Sequence, residues 1–125
     1  MRKIFRWIPS IFAMGVIFFL SSIPSRELPS FGTWDSLVKK GAHSLGYGIL
    51  ALLFWYGLKN NRKRLWLAFI LAVIYGLSDE FHQSFIPGRH SSLVDALVFD
   101  SGGALLVLWI SSWVNRRLKK ARLLS

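Results

Sequence analysis

The sequence predicts an all-α fold, an integral membrane four-helix bundle with both termini on the cytoplasmic side. Three observations carry that prediction. Four apolar stretches each approach the ~20 residues that cross a ~30 Å hydrocarbon core, in a chain of 125 residues that is 53% apolar. The connections between them are too short for an intervening soluble domain, so a single membrane domain over residues 1–125 is expected. The basic residues cluster at the ends of the stretches rather than along them.

The first stretch runs from Trp7 to Ile23 and carries no charge. Met1 to Leu20 also has the outline of a signal peptide, with a basic start and an apolar core before Ser21 and Ser22. No clear small-x-small cleavage site follows and the run is long for such a segment, so a retained helix is expected. The second stretch, Gly41 to Leu58, is interrupted only by His43 and Ser44 near its start. The third, Leu65 to Phe85, holds Asp79, Glu80 and His82 in its last third. The fourth, Leu93 to Val114, holds Asp95 and Asp100 in its first third. None has the wide polar stripe of a soluble amphipathic helix. Trp7, Trp55, Trp66, Trp109 and Trp113 sit near the ends, where aromatic belts form.

Charge sets the expected orientation. Arg2, Lys3 and Arg6 precede the first helix; Lys59, Arg62, Lys63 and Arg64 lie between the second and third; Arg116, Arg117, Lys119, Lys120 and Arg122 follow the fourth. These are 12 of the 16 basic residues, and no acid accompanies them. The other side holds Arg26, Lys39, Lys40 and Arg89 with all six acids. The positive-inside rule therefore predicts both termini in the cytoplasm of a bacterial cell. The formal net charge of +10 would otherwise indicate nucleic acid, but basic residues flanking apolar runs do not form a nucleic-acid surface. Membrane lipids are the expected partners, and the C-terminal basic run reads as an anchor for anionic lipid. With no cysteine, thiolate chemistry and disulfides are excluded.

The polar residues that stand out lie on the acid-bearing side. Pro87-Gly88 marks a turn, making Asp79 to Asp95 a helical hairpin at the outer surface. With the third helix ending near Phe85, Asp79 lies about six residues, or roughly 9 Å, inside the membrane. A carboxylate at such depth is costly and usually faces the bundle interior or a wet cavity. Asp79, His82 and Gln83 share a face through i, i+3 and i, i+4 spacing, and so do His43 and Tyr47. Lys39 and Lys40 enter the second helix. Arg89 can pair with a carboxylate or offer its planar fork to a phosphate. Asp100 lies at similar depth in the fourth helix, before Gly102 and Gly103, which permit close helix approach.

Plainer readings stand beside these. Asp79 with Arg89 or Lys39 forms a structural ion pair; His43 is a hydrogen-bonded interhelical histidine; Ser21-Ser22 ends a helix rather than supplying a nucleophile. His43, His82 and the carboxylates show no recognised metal-ligand spacing, so no metal site is expected. The sequence specifies no cofactor.

Ser21-Ser22-Ile23-Pro24, Lys39-Lys40-Gly41-Ala42-His43 with Tyr47, Asp79-Glu80-Phe81-His82-Gln83, Pro87-Gly88-Arg89, Asp95 and Gly102-Gly103-Ala104 follow one another in an order that resembles the VanZ-like family of small bacterial membrane proteins. The resemblance runs roughly from Phe18 to Leu106. It implies a cell-envelope protein, since the namesake is associated with low-level resistance to teicoplanin, a lipoglycopeptide acting at the outer membrane face. It implies no biochemical mechanism. The family often has Asn five residues after the aspartate of the fourth helix; here that position is Asp100.

Two functional expectations follow. In the first, Lys39, His43, Tyr47, Asp79, Glu80, Gln83, Arg89, Asp95 and Asp100 line an outward-facing pocket for a lipid-linked or amphiphilic ligand. In the second, Asp79, Glu80 and His82 perform acid/base catalysis on a lipid or cell-wall precursor, using carboxylates whose protonation neighbours hold apart. A transporter fits less well, because four short helices show no inverted repeat or broken span.

Overall fold

The computed structural model describes residues 4–89 and 92–123. Four long helices account for most of it: α1 (Ile8–Ser21), α2 (Asp35–Gly57), α3 (Leu65–Gln83) and α4 (Ser101–Arg122). A 3₁₀ turn, Ile4–Trp7, leads into α1, whose first turn carries Pro9 where no intrahelical N–H bond is lost. One α-turn (Leu93–Asp95) and a π-helical segment (Ala96–Asp100) lead into α4.

Three helical stretches are long and apolar enough to cross a membrane: Ile4–Ser21, Arg62–Gln83 and Leu97–Arg122. The large apolar side chains on their flanks point outward; Phe12 is 73% exposed, and Phe19, Ile74 and Trp109 are also exposed. Water does not tolerate a surface of that kind, whereas hydrocarbon does. The chain is therefore a membrane protein. Helix α2 is long enough to cross, at 23 residues or about 34 Å, but it is not one of the three apolar stretches. Its position explains this. It packs against α1, α3 and α4, with Tyr47, Gly48, Leu50, Ala51, Phe54, Trp55 and Gly57 buried. Leu45, Ile49 and Tyr56 remain exposed on its outer face, while the polar Ser44 and Tyr47 find hydrogen-bond partners on neighbouring segments.

Small residues bring the neighbours close. Ala68, Ala72 and Gly76 repeat at i, i+4 along α3 and are all buried. The most extensive helix pairing is α2 with α4. There a Cβ added at Gly103 would overlap the carbonyl and hydroxyl oxygens of Ser44, and one at Gly48 would collide with Val107. The lipid phase supplies no hydrophobic drive between helices, so this close backbone packing holds the pair together. Ser44 Oγ also donates to the Phe99 carbonyl at 2.8 Å, where the wider π-helical turn occurs.

Two helix boundaries differ from expectation. Helix α2 starts at Asp35 rather than Gly41, because Asp35 accepts the Phe31 N–H and pairs with Lys39 one turn on, and an acid suits a helix N-terminus. Helix α4 continues past Val114 to Arg122, its last turn carrying Lys119, Lys120 and Arg122 beside the C-terminal carbonyls.

Candidate functional site

Asp79 is buried at 3% exposure near the end of α3. Its Oδ2 accepts from Ser21 Oγ at 2.7 Å, Tyr47 Oη at 2.7 Å and Gln83 Nε2 at 2.8 Å. Gln83 Nε2 also reaches Ser21 Oγ at 3.3 Å. One carboxylate oxygen thus ties α1, α2 and α3 together through uncharged donors. Its other oxygen, Oδ1, is buried without a hydrogen-bond partner among the described residues.

The residues beside Asp79 point elsewhere. Successive helical residues are turned by about 100°, so Glu80 faces away and its Oε2 accepts the Ser92 N–H at 2.7 Å. His82 stacks on Phe18 with ring centroids 4.3 Å apart and brings Nε2 within 2.9 Å of Ser22 Oγ. Ser22 gives its own proton to the Phe18 carbonyl at 2.7 Å, so Nε2 is the donor in that pair. Asp79, Glu80 and His82 therefore serve three different neighbours.

The described hydrogen bonds of Arg89 go to backbone carbonyls rather than to a carboxylate. Pro87 and Gly88 form a tight turn, with Gly88 at φ +73° and Arg89 N–H donating to Ile86; that left-handed geometry favours glycine. The turn swings the guanidinium against the end of α1, where Nη2 donates to Leu20 O at 2.8 Å and Nε to Ile23 O at 3.1 Å. A cation on the last carbonyls of a helix satisfies groups that no intrahelical N–H reaches. Lys39 pairs with Asp35, at 2.7 Å. That hydrogen bond and the Phe31 N–H hold the Asp35 carboxyl below its ordinary range.

Two cavities meet at this end of the bundle. One is an apolar groove of about 330 Å³ between α1, the first loop and α2. Ile17, Leu20, Leu28, Phe31, Val38 and Ala42 form much of its wall, and Tyr47 and Ser21 close its inner side. The other is a polar cavity of about 530 Å³ lined by Lys40, Glu80, Gln83 and Asp100 among others. Lys39, His43 and Arg89 line both. The His43 ring lies 6.1 Å from that of Tyr47, and Lys40 stands over the Phe99 ring at 4.9 Å.

A family model, VanZ/LLP1, matches residues 4–115 of the chain. The chain belongs to the VanZ/LLP1 family. No curated protein and no solved structure matches it. Of the site residues expected in this VanZ/LLP1 chain, Lys39, His43, Glu80, Gln83, Arg89 and Asp100 share the polar cavity, and Tyr47 lines the groove. Asp79 lines neither and lies behind Tyr47 and Ser21. The side chain of Asp95 lies outside the described residues. No group of three or more His, Cys, Asp or Glu able to hold a metal occurs among the described residues.

Ser21, Ser22 and Tyr75 were not foreseen as site partners. Tyr75 Oη donates to the Met14 carbonyl at 2.6 Å, fixing α3 to α1. Hydroxyls at the end of an apolar helix signal a polar neighbour, but the sequence does not say which one.

Proposed function

We propose that this protein binds an amphiphile at the non-cytoplasmic side of the bacterial cytoplasmic membrane, with the apolar part in the groove and the polar part in the adjoining cavity. One observation carries the reading: the apolar groove and the polar cavity adjoin and share Lys39, His43 and Arg89. Binding sites of this kind combine an apolar wall with a few convergent polar groups. Their placement among residues with few positive charges outside the cavity supports the outward orientation. Membership of the VanZ/LLP1 family supports a link to lipoglycopeptide susceptibility, through a ligand held at the face where such compounds act.

Gly46 provides the test. It lines the groove, and a Cβ there meets nothing within 4 Å, so Gly46→Leu fills the groove without disturbing the helix packing. Protein captured from native membranes is expected to retain an amphiphile by mass spectrometry, and Gly46→Leu to lose it together with any change in teicoplanin susceptibility. Equal retention by both proteins defeats the reading. The catalytic alternative has less support, because Asp79, Glu80 and His82 diverge and Asp79 is closed off from both cavities.

A further inference from the structure

The distribution of charge across the two cavities narrows the ligand, on the premise that the groove holds an amphiphile. We infer that the site takes a lipid with a zwitterionic head, an anionic phosphate next to the acyl chains and a primary ammonium beyond it. The residues shared between groove and polar cavity are Lys39, Arg89 and His43. They stand where a chain lying in the groove passes into the polar space, and the positive charges of Lys39 and Arg89 suit a phosphate. Glu80 and Asp100 line the polar cavity alone, away from the groove. Both are more than nine-tenths buried, at 8% and 7% exposure. Moving away from the apolar wall, the order is therefore apolar, then cationic, then an acid-rich zone in which Asp35, Glu80 and Asp100 outnumber Lys40. A ligand complementary to that order runs chain, phosphate, ammonium.

The balance of charge points the same way. A solely anionic head is best matched by an excess of cations, as potentials across a binding surface are complementary. Among the described residues the polar cavity instead sets Lys39, Lys40 and Arg89 against Asp35, Glu80 and Asp100. A carboxylate at position 100 repels a head of net negative charge and attracts an ammonium. Hydrogen bonding adds a further distinction. A primary ammonium donates three N–H groups, which carboxylates accept, whereas a quaternary one donates none.

The experiment places the full chain in nanodiscs holding equal amounts of phosphatidylethanolamine and phosphatidylglycerol with matched acyl chains, and reads retained lipid by native mass spectrometry. Phosphatidylethanolamine is expected to exceed phosphatidylglycerol several-fold, and phosphatidylcholine in its place to be retained less. The double variant Glu80→Gln, Asp100→Asn should bring the ratio of the two lipids to one or below. Because that ratio is read within one sample, it is insensitive to how much of the variant folds. Soluble phosphoethanolamine without chains should not compete; if it displaces the lipid, the ligand is a free headgroup and the lipid assignment fails. Phosphatidylglycerol retained equally or better, yet lost in Gly46→Leu, overturns the zwitterionic head and leaves the groove reading intact. Retention of either lipid unaffected by Gly46→Leu removes the groove reading and this inference with it.

Discussion

Tyr47 Oη donates to Asp79 Oδ2 across 2.7 Å, a hydrogen bond from α2 to α3 behind the groove wall that the same tyrosine ring helps to form. Ser21 and Gln83 converge on the same oxygen, and Oδ1 has no partner among the described residues. Asp79 is thus an acceptor held by neutral donors, and its role in stability depends on accepting rather than on charge. Asp79→Asn keeps an accepting oxygen and removes the cost of a buried charge, so it should unfold within about 1 kcal/mol of the parent. Asp79→Leu strands the buried Tyr47, Ser21 and Gln83 donors and should cost on the order of 3 kcal/mol or more. Thermal unfolding in detergent checks both; an Asn variant as damaged as the Leu variant refutes the assignment.

Arg89 bridges the Leu20 and Ile23 carbonyls, and a lysine cannot reproduce its two-pronged geometry. Arg89→Ala should cost about 1–3 kcal/mol, and Arg89→Lys should recover part of that loss through the favourable charge at the helix C-terminus. Hydrogen exchange at the end of α1 should rise in the order parent, Lys, Ala. Unchanged exchange in the Ala variant rules out the capping role.

Gly102 and Gly103 are adjacent in sequence but differ in surroundings. A Cβ at Gly103 runs into Ser44 main chain and side chain, whereas one at Gly102 meets nothing within 4 Å. Gly103→Ala should therefore force α2 and α4 apart at a cost of about 3 kcal/mol, near the upper end for overpacking. Gly102→Ala should be neutral or stabilising by up to about 1 kcal/mol through helix propensity. Similar melting temperatures for the two variants would show that the α2–α4 crossing is looser than described.

The orientation proposal has its own test. Reporter fusions after Ser125 and within Lys59 to Arg64 should both give a cytoplasmic signal, following the 12 basic residues on that side. An external signal at either position reverses the model and places the cavities on the inner face.

Helix number and kind were legible in the sequence, because crossing hydrocarbon imposes a length and an apolarity that three of the four helices meet by themselves. The shared face of Asp79 and Gln83 was also legible, since helical period is a local property. The early start of α2 had a visible signal in the i, i+4 spacing of Asp35 and Lys39. Tertiary structure decided the rest. The sequence marks Arg89 as a partner for a carboxylate or a phosphate, yet its described hydrogen bonds go to the Leu20 and Ile23 carbonyls, a group that every residue carries and that no side-chain pattern marks. Likewise, Glu80, His82 and Asp79 are close in sequence but serve Ser92, Ser22 and Tyr47, because adjacent helical positions diverge and only packing determines what each one meets. The packed face of α2, where Ser44 and Tyr47 find their partners, exists only once α1, α3 and α4 pack against it. Hydropathy and period act within a segment; the choice of partner is a property of how segments pack.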